Sequence, residues 1–307
     1  MPILRTSVEK ATGMDFTLFW FMFPVAIGVA TCAMLSGIGG AALFTPIFVL
    51  IFPILGPEYE LQSTVAAIGT ALLTETFGFS SGFVGYFRKR LIDFDIVGRF
   101  LRISVPVGIV SAFLAHLIPG PILIIGYAAL VLALAAVHVF MEHDGPPIPK
   151  LSPHEYGPTI RHKVDSRGRE YVYEIPAVGP KSKLVTAFGA FLTGMVSVGI
   201  GEVIVPLLTK RGVPVAVAAA TSVAVVIVTV ACASFTLISQ LISEGGLAAV
   251  PWNLLCYSIP GVIIGGQIGP RLQGAVSQRT MEHAIGILFL VLAFGMFSVA
   301  MKKLAGG

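Results

Sequence analysis

Charge is what this chain of 307 residues has least of. Asp, Glu, Lys and Arg together make up 12% of it, about half the share of a soluble globular domain. With 55% hydrophobic residues and a mean hydropathy of +0.89, this excludes an ordinary water-soluble protein and points to an integral membrane protein. The net charge is only +4 and the basic residues form no clustered face, so no nucleic-acid partner is expected. Cysteine is scarce: Cys32, Cys232 and Cys256 all lie in apolar segments, none in a CxxC pair. That excludes a disulfide framework and leaves them as small buried hydrophobes. His116, His138 and His283 have no second histidine at helical spacing, so neither a metal nor another cofactor is expected. HExxH and P-loop motifs are missing as well, and without a nucleotide site any transport has to run on gradients or potential.

Glycine (34) and proline (20) are plentiful, mostly within or between apolar segments. Five hydrophobic segments fall in each half, about 17–36, 38–55, 62–87, 95–117 and 119–141, then 183–198, 200–210, 213–243, 250–270 and 280–301. The organisation expected is a tail (1–16), a first membrane repeat (17–141), a linker (142–182) and a second membrane repeat (183–303). The run from Leu18 to Leu35 reads as a span, not a cleaved leader, because its counterpart is internal. The fold class expected is an all-α polytopic membrane protein.

One stretch occurs twice. The first copy is Gly37-Ile38-Gly39-Gly40-Ala41 leading to Pro46, and the second is Gly199-Ile200-Gly201-Glu202 leading to Pro206. Small-residue helices carrying Thr70 and then Thr221-Ser222 follow them. Ser104-Val105-Pro106 and Ser258-Ile259-Pro260 recur in the same order, which argues for internal duplication. Arg88-Lys89-Arg90 should face the cytoplasm, whereas the equivalent Glu244-Gly245-Gly246 should lie outside. Lys302-Lys303 dissents from the arrangement this implies: two inverted-topology repeats with both termini outside. The linker holds Lys150, Arg161, Lys163, Arg167, Arg169 and Lys181, fits the cytoplasmic side, and contains a short hairpin pattern around Ser166-Arg167-Gly168-Arg169.

Glycine bends the backbone and proline removes a donor, so each glycine–proline stretch is expected to be a broken or re-entrant half-helix. A broken helix in lipid is tolerated only where protein, water or ligand satisfies its backbone. Helix N-termini bind oxyanions through free N–H groups. The candidate substrate-binding residues are therefore Gly37, Gly39, Gly40, Ala41, Gly199 and Gly201, with hydroxyls from Thr70, Thr221 and Ser222. Glu75 and Glu202 are carboxyls inside hydrophobic segments, and such groups tend to face a cavity or relay protons. They are the candidate proton-coupling residues. Arg99 and Arg102 read as interfacial anchors.

These residues resemble the TauE/SafE family of sulfite exporters. The family pattern is close to GIGGGxxxxP near the start of each half. The first copy here keeps Gly37, Ile38, Gly39, Gly40 and Pro46, with Ala41 replacing the third glycine. Counting back from Pro206, Gly199 and Gly201 match the first and third glycines and Ile200 replaces the second. Glu202 matches a glutamate found in part of the family, and Ala220-Thr221-Ser222 matches its small-residue helix. The resemblance implies export, or in some members uptake, of sulfite, sulfonates or related organosulfur anions, at a bacterial inner membrane. A passive anion channel and a cysteine-dependent intramembrane redox protein are the alternatives. A homodimer is compatible with the reading, but no interface is legible.

Overall fold

The structure, a computed structural model, describes residues 15–36, 39–140, 160–272 and 278–305. Among these residues the chain forms ten α-helices: α1 (Met22–Ser36), α2 (Ala41–Leu55), α3 (Thr64–Arg88), α4 (Phe94–Ala115), α5 (Gly120–Phe140), α6 (Pro180–Val196), α7 (Ile200–Thr209), α8 (Val215–Gly245), α9 (Trp252–Leu272) and α10 (Gln278–Ala305). By length and hydropathy α4 and α8 are able to cross a bilayer, with mean hydropathies of 1.6 and 2.5. Large apolar side chains also face outward, among them Phe235, Ile54 and Leu184, each more than 70% exposed. In water such a surface would be a liability, whereas in lipid it is the solvent-matched face.

Four helices are short. At 1.5 Å per residue α1 and α2 each reach roughly 22 Å, α6 roughly 25 Å and α7 roughly 15 Å, less than the ~30 Å hydrocarbon layer. α2 and α7 each start just after a break. The chain leaves α1 at Ser36 and re-enters helix at Ala41, and it leaves α6 at Val196 and re-enters at Ile200. Ser197 (φ 65°) and Gly199 (φ 149°) make the second break. In α2 the winding widens to a π-helix over Ile47–Ile51, directly after Pro46, the kind of irregularity that proline's missing donor invites.

The longest packed pairs are α1 with α9, α4 with α6, α5 with α10, α3 with α8, α3 with α9, and α4 with α8. Small residues set the closest crossings. A Cβ at Gly261 would sit 2.6 Å from the Phe23 carbonyl of α1, and one at Gly194 would sit 2.5 Å from the Gly108 carbonyl of α4. Hydroxyl pairs stitch neighbouring helices: Ser104 to Thr229 at 2.7 Å and Ser258 to Thr74 at 3.2 Å. Gly78-Phe79-Ser80-Ser81-Gly82 has the spacing of a nucleophile elbow, yet it is mid-helix in α3. Ser80 donates to Thr76 O (2.6 Å) and Ser81 to Ile263 O (2.6 Å), so both hydroxyls serve packing. The cysteines correct the sequence expectation of burial. Cys32 and Cys256 are exposed and Cys232 is half-buried, because they fall on outward faces of α1, α9 and α8, where a bilayer accepts a thiol as readily as a core does.

Between the halves, β1 (Ile160–Val164) and β2 (Glu170–Glu174) pair antiparallel, Ile160 opposite Glu174. The hairpin is tied to the α3–α4 connection. Ser166 N donates to Lys89 O at 3.2 Å, and the buried Tyr173 hydroxyl donates to Asp93 Oδ2 at 2.6 Å. Arg161 pairs with Asp95 and Lys163 Nζ donates to Ile92 O. Burial and the hydrogen bond to Asp93 together push the Tyr173 phenol well above its ordinary range.

Candidate substrate site

The two breaks meet. Glu202, in the first turn of α7, accepts from its own N-cap, Gly199 N, through Oε2 at 2.9 Å. Through Oε1 it accepts from Gly39 N at 3.0 Å, across from the other half of the chain. One carboxyl therefore bridges both interrupted stretches. A capping carboxylate at the third helical position is ordinary helix chemistry. The second bond, to an amide 163 positions away, is not local. Thr45 of α2 and Ser197 of the second break also touch, hydroxyl to hydroxyl, at 2.6 Å.

Glu75 reaches the same place from α3. Its buried carboxyl faces the amides of Gly40 and Ala41 and lies within electrostatic range of Glu202. Its Oε1 has no hydrogen-bond partner among the described residues. A Cβ placed on Gly39 would lie 2.9 Å from Glu75 Oε1 and 3.2 Å from Glu202 Oε1. The two carboxyls thus converge on the α-carbon of Gly39, and glycine is required there for space. The amides expected to face an anion are in this state turned to the protein's own carboxyls.

The surrounding backbone is held in place by named partners. Thr193 Oγ1 accepts from Ile200 N at 2.8 Å, satisfying one of the donors left at the start of α7. Tyr86 donates to Met34 O at 2.9 Å and does the same for a carbonyl at the end of α1. Pro46 cannot donate to Ala42 O, four residues back, and the Tyr127 hydroxyl of α5 bonds that carbonyl at 2.5 Å. Tyr127→Phe is expected to leave a buried carbonyl unpaired and to destabilise the protein by about 1–3 kcal/mol, read as a lowered melting midpoint in detergent. An unchanged midpoint would mean that water or another donor replaces the phenol.

Of the residues nominated from sequence, Gly39, Gly40, Ala41, Gly199 and Gly201 stand with Glu75 and Glu202 at this junction. Gly37 lies outside the described residues. Thr70 precedes Glu75 by five residues on α3, whereas Thr221 and Ser222 stand near the start of α8. Gly69, next to Thr70, packs against Leu237 and Leu241 of α8, whereas Thr221 near the start of α8 accepts from Asp93 N at 3.1 Å. Over four turns of α8 separate those levels, roughly 24 Å at the helical rise. Thr70 and Ser222 are buried, with hydroxyls that have no partner among the described residues, toward opposite ends of the α3–α8 pair. Thr45, Ser197, Thr193 and Tyr127 were not anticipated. Only Thr45 carries a local hint, standing beside Pro46, where a freed backbone needs polar neighbours. Among the described residues no His, Cys, Asp or Glu cluster could hold a metal ion.

The family model described as "Sulfite exporter TauE/SafE" matches residues 22–296. The chain is 24% identical over 276 residues to "Probable membrane transporter protein YunE" of Bacillus subtilis (strain 168), covering 89% of this chain and 95% of that relative. It is 26% identical over 267 residues to "Probable membrane transporter protein YjnA" of the same organism, covering 84% and 91%. No solved structure matches it.

Proposed function

Because this chain belongs to the TauE/SafE sulfite exporter family, whose members are membrane transporters and not enzymes, we propose that it moves a small sulfur oxyanion, sulfite or a sulfonate, across the membrane by alternating access. The observation that carries this reading is the Glu202 carboxyl held by Gly39 N and Gly199 N. Those amides are suited to a three-oxygen anion, and Glu202 occupies them as an internal stand-in for it. Substrate and Glu202 then compete for the same donors. A proton taken up by Glu202 or Glu75 weakens the internal contact and relieves repulsion toward the incoming anion. Proton and anion therefore arrive together. Thr70 and Ser222 serve as hydroxyl stations on the two approaches.

The pairing of helices supports an inverted repeat. Exchange of α1–α5 with α6–α10 maps the α1–α9 contact onto α6–α4 and the α3–α9 contact onto α8–α4, and it leaves α3–α8 and α5–α10 in place. The Ser104–Thr229 and Ser258–Thr74 bonds exchange in the same way. In this arrangement the hairpin linker is cytoplasmic, both termini are outside, and the membrane is the bacterial inner one. An inside-negative potential then favours outward movement of whatever negative charge the accompanying proton leaves unbalanced, about 2.3 kcal/mol per net charge per 100 mV.

Purified protein in liposomes is expected to carry radiolabelled sulfite in a saturable manner, faster with a proton gradient aligned with the anion. Flux no greater than in empty liposomes, for sulfite, thiosulfate and a simple sulfonate alike, defeats the proposal. A current that never saturates and ignores the proton gradient defeats alternating access in favour of a channel.

A further inference from the structure

At the end of α3 the chain exposes two phenylalanines beside three cations. A groove of about 440 Å³ is lined by Phe87, Arg88, Arg90, Ile92, Phe94 and Lys163. Phe87 and Phe94 are each 55% exposed and meet edge to face at 6.3 Å. Among the described residues no carboxylate lines the groove, although Asp93 lies within electrostatic range of Lys163. Among the described residues the Arg88 and Arg90 guanidinium groups have no ion-pair partner, unlike Arg161 and Arg169 nearby. The third cation comes from the hairpin. Strand β1 brings Lys163 to the groove, and its bond to Ile92 O uses one of three ammonium donors. Burial lowers the Lys163 ammonium below its usual range, a penalty that a bound anion reverses.

We propose that this groove binds the headgroup of an anionic phospholipid, with Arg88, Arg90 and Lys163 on the phosphate and Phe87 and Phe94 against the glycerol and upper acyl chains. Position supports a lipid over a free anion. Helix α4 begins as a candidate span at Phe94, so in the proposed topology the groove lies where the span meets the membrane surface, with the exposed rings at headgroup level. A small inorganic anion would use the cations and gain nothing from the rings. Juxtamembrane cations each contribute about 1 kcal/mol toward anionic lipid.

Arg90 adds an independent mark. It sits at φ 58°, one of two non-glycine residues with positive φ among those described. Its N–H bonds to Phe87 O (2.9 Å) and that of Leu91 to Tyr86 O (3.4 Å), the left-handed ending of a helix where glycine is preferred. An arginine there carries conformational strain that glycine would not. Fold stability therefore does not account for the side chain, and the groove does.

The test uses the full chain in detergent, with phosphatidylglycerol and phosphatidylcholine as probes and native mass spectrometry and thermal unfolding as readouts. Wild type is expected to retain phosphatidylglycerol over phosphatidylcholine and to melt higher with it. Arg90→Gly is expected to match or exceed the wild-type melting midpoint without lipid, yet to retain phosphatidylglycerol about fivefold less. The combination of Arg88→Gln, Arg90→Gly and Lys163→Gln should abolish the preference. Equal retention of the two lipids, unchanged retention by Arg90→Gly, or displacement of the lipid by inorganic phosphate overturns the proposal, the last in favour of a small-anion vestibule. Because the readout is lipid binding, the result is separable from failure of the sulfite-flux experiment.

Discussion

Glu202→Ala is expected to abolish anion transport and to lower the stability of the protein by about 2–6 kcal/mol, because two buried N–H groups each lose an acceptor at about 1–3 kcal/mol apiece. The amides concerned are Gly39 N and Gly199 N. The reason is not a lost contact alone. A buried donor with no partner retains its desolvation penalty in full, so removing one carboxyl harms two segments at once. Glu202→Gln separates the two roles. The amide side chain offers one acceptor oxygen where the carboxylate offers two, so one N–H is left facing an NH2 group and the cost is about half that of alanine. Gln also cannot take up a proton: loss of dependence on the proton gradient assigns the coupled proton to Glu202, and retained dependence assigns it to Glu75.

A sharper consequence concerns the anion itself. If substrate and Glu202 compete for the same donors, the alanine variant has its site unblocked. Sulfite should raise its melting midpoint more than it raises that of wild type, although the variant does not transport. The measurement is thermal unfolding in detergent with sulfite, and with chloride as control. A variant that gains nothing from sulfite would show that the amides are not the anion site, and Glu202 would then be a helix cap and no more.

The positions of the helices were legible because each is an apolar run bounded by charge, glycine or proline. The broken stretches announce themselves by glycine clustered ahead of Pro46 and Pro206, and the hairpin by alternation on either side of Arg167-Gly168. The bridge from Glu202 to Gly39 was not legible. It depends on how the two halves pack, and nothing near position 39 specifies an acceptor 163 residues away. Tyr127 was hidden for the same reason: a tyrosine in an apolar helix announces no partner until Ala42 O is found opposite it.

Grouping Thr70 with Thr221 and Ser222 illustrates a different limit. The residues correspond in sequence, each in the second turn of its helix. Yet α3 and α8 run antiparallel, with Gly69 at the level of Leu237 and Thr221 at that of Asp93. Equivalent turns of antiparallel helices lie at opposite ends, and only residues near the crossing meet. Correspondence by repeat thus identifies equivalent residues without making them neighbours.

Gly199→Ala should be the more damaging of the two glycine changes at the junction. Gly199 holds φ 149° and ψ −51°, a conformation side-chain-bearing residues avoid at a cost of about 1–3 kcal/mol. A Cβ there would also lie 2.5 Å from Gly189 O and 3.0 Å from Leu192 Cβ. The first of these is backbone of α6, so relief requires α6 and α7 to separate, for about 1–3 kcal/mol more. At Gly39 the obstacle is the tips of two glutamates, and swinging Glu202 aside takes the acceptor from Gly39 N at about 1–3 kcal/mol. Gly39→Ala is therefore expected to lose about 1–3 kcal/mol together with transport, whereas Gly199→Ala loses about 2–6 kcal/mol by its two terms together. Gly126→Ala supplies the control. Its Cβ would meet only Val196 Cγ1 at 4.0 Å, within α5, so alanine's helix preference should stabilise by up to about 1 kcal/mol. Melting midpoints of the three variants in one detergent decide the matter. If Gly199→Ala melts with wild type, the second break is not fixed as described, and the site that depends on it has no rigid frame.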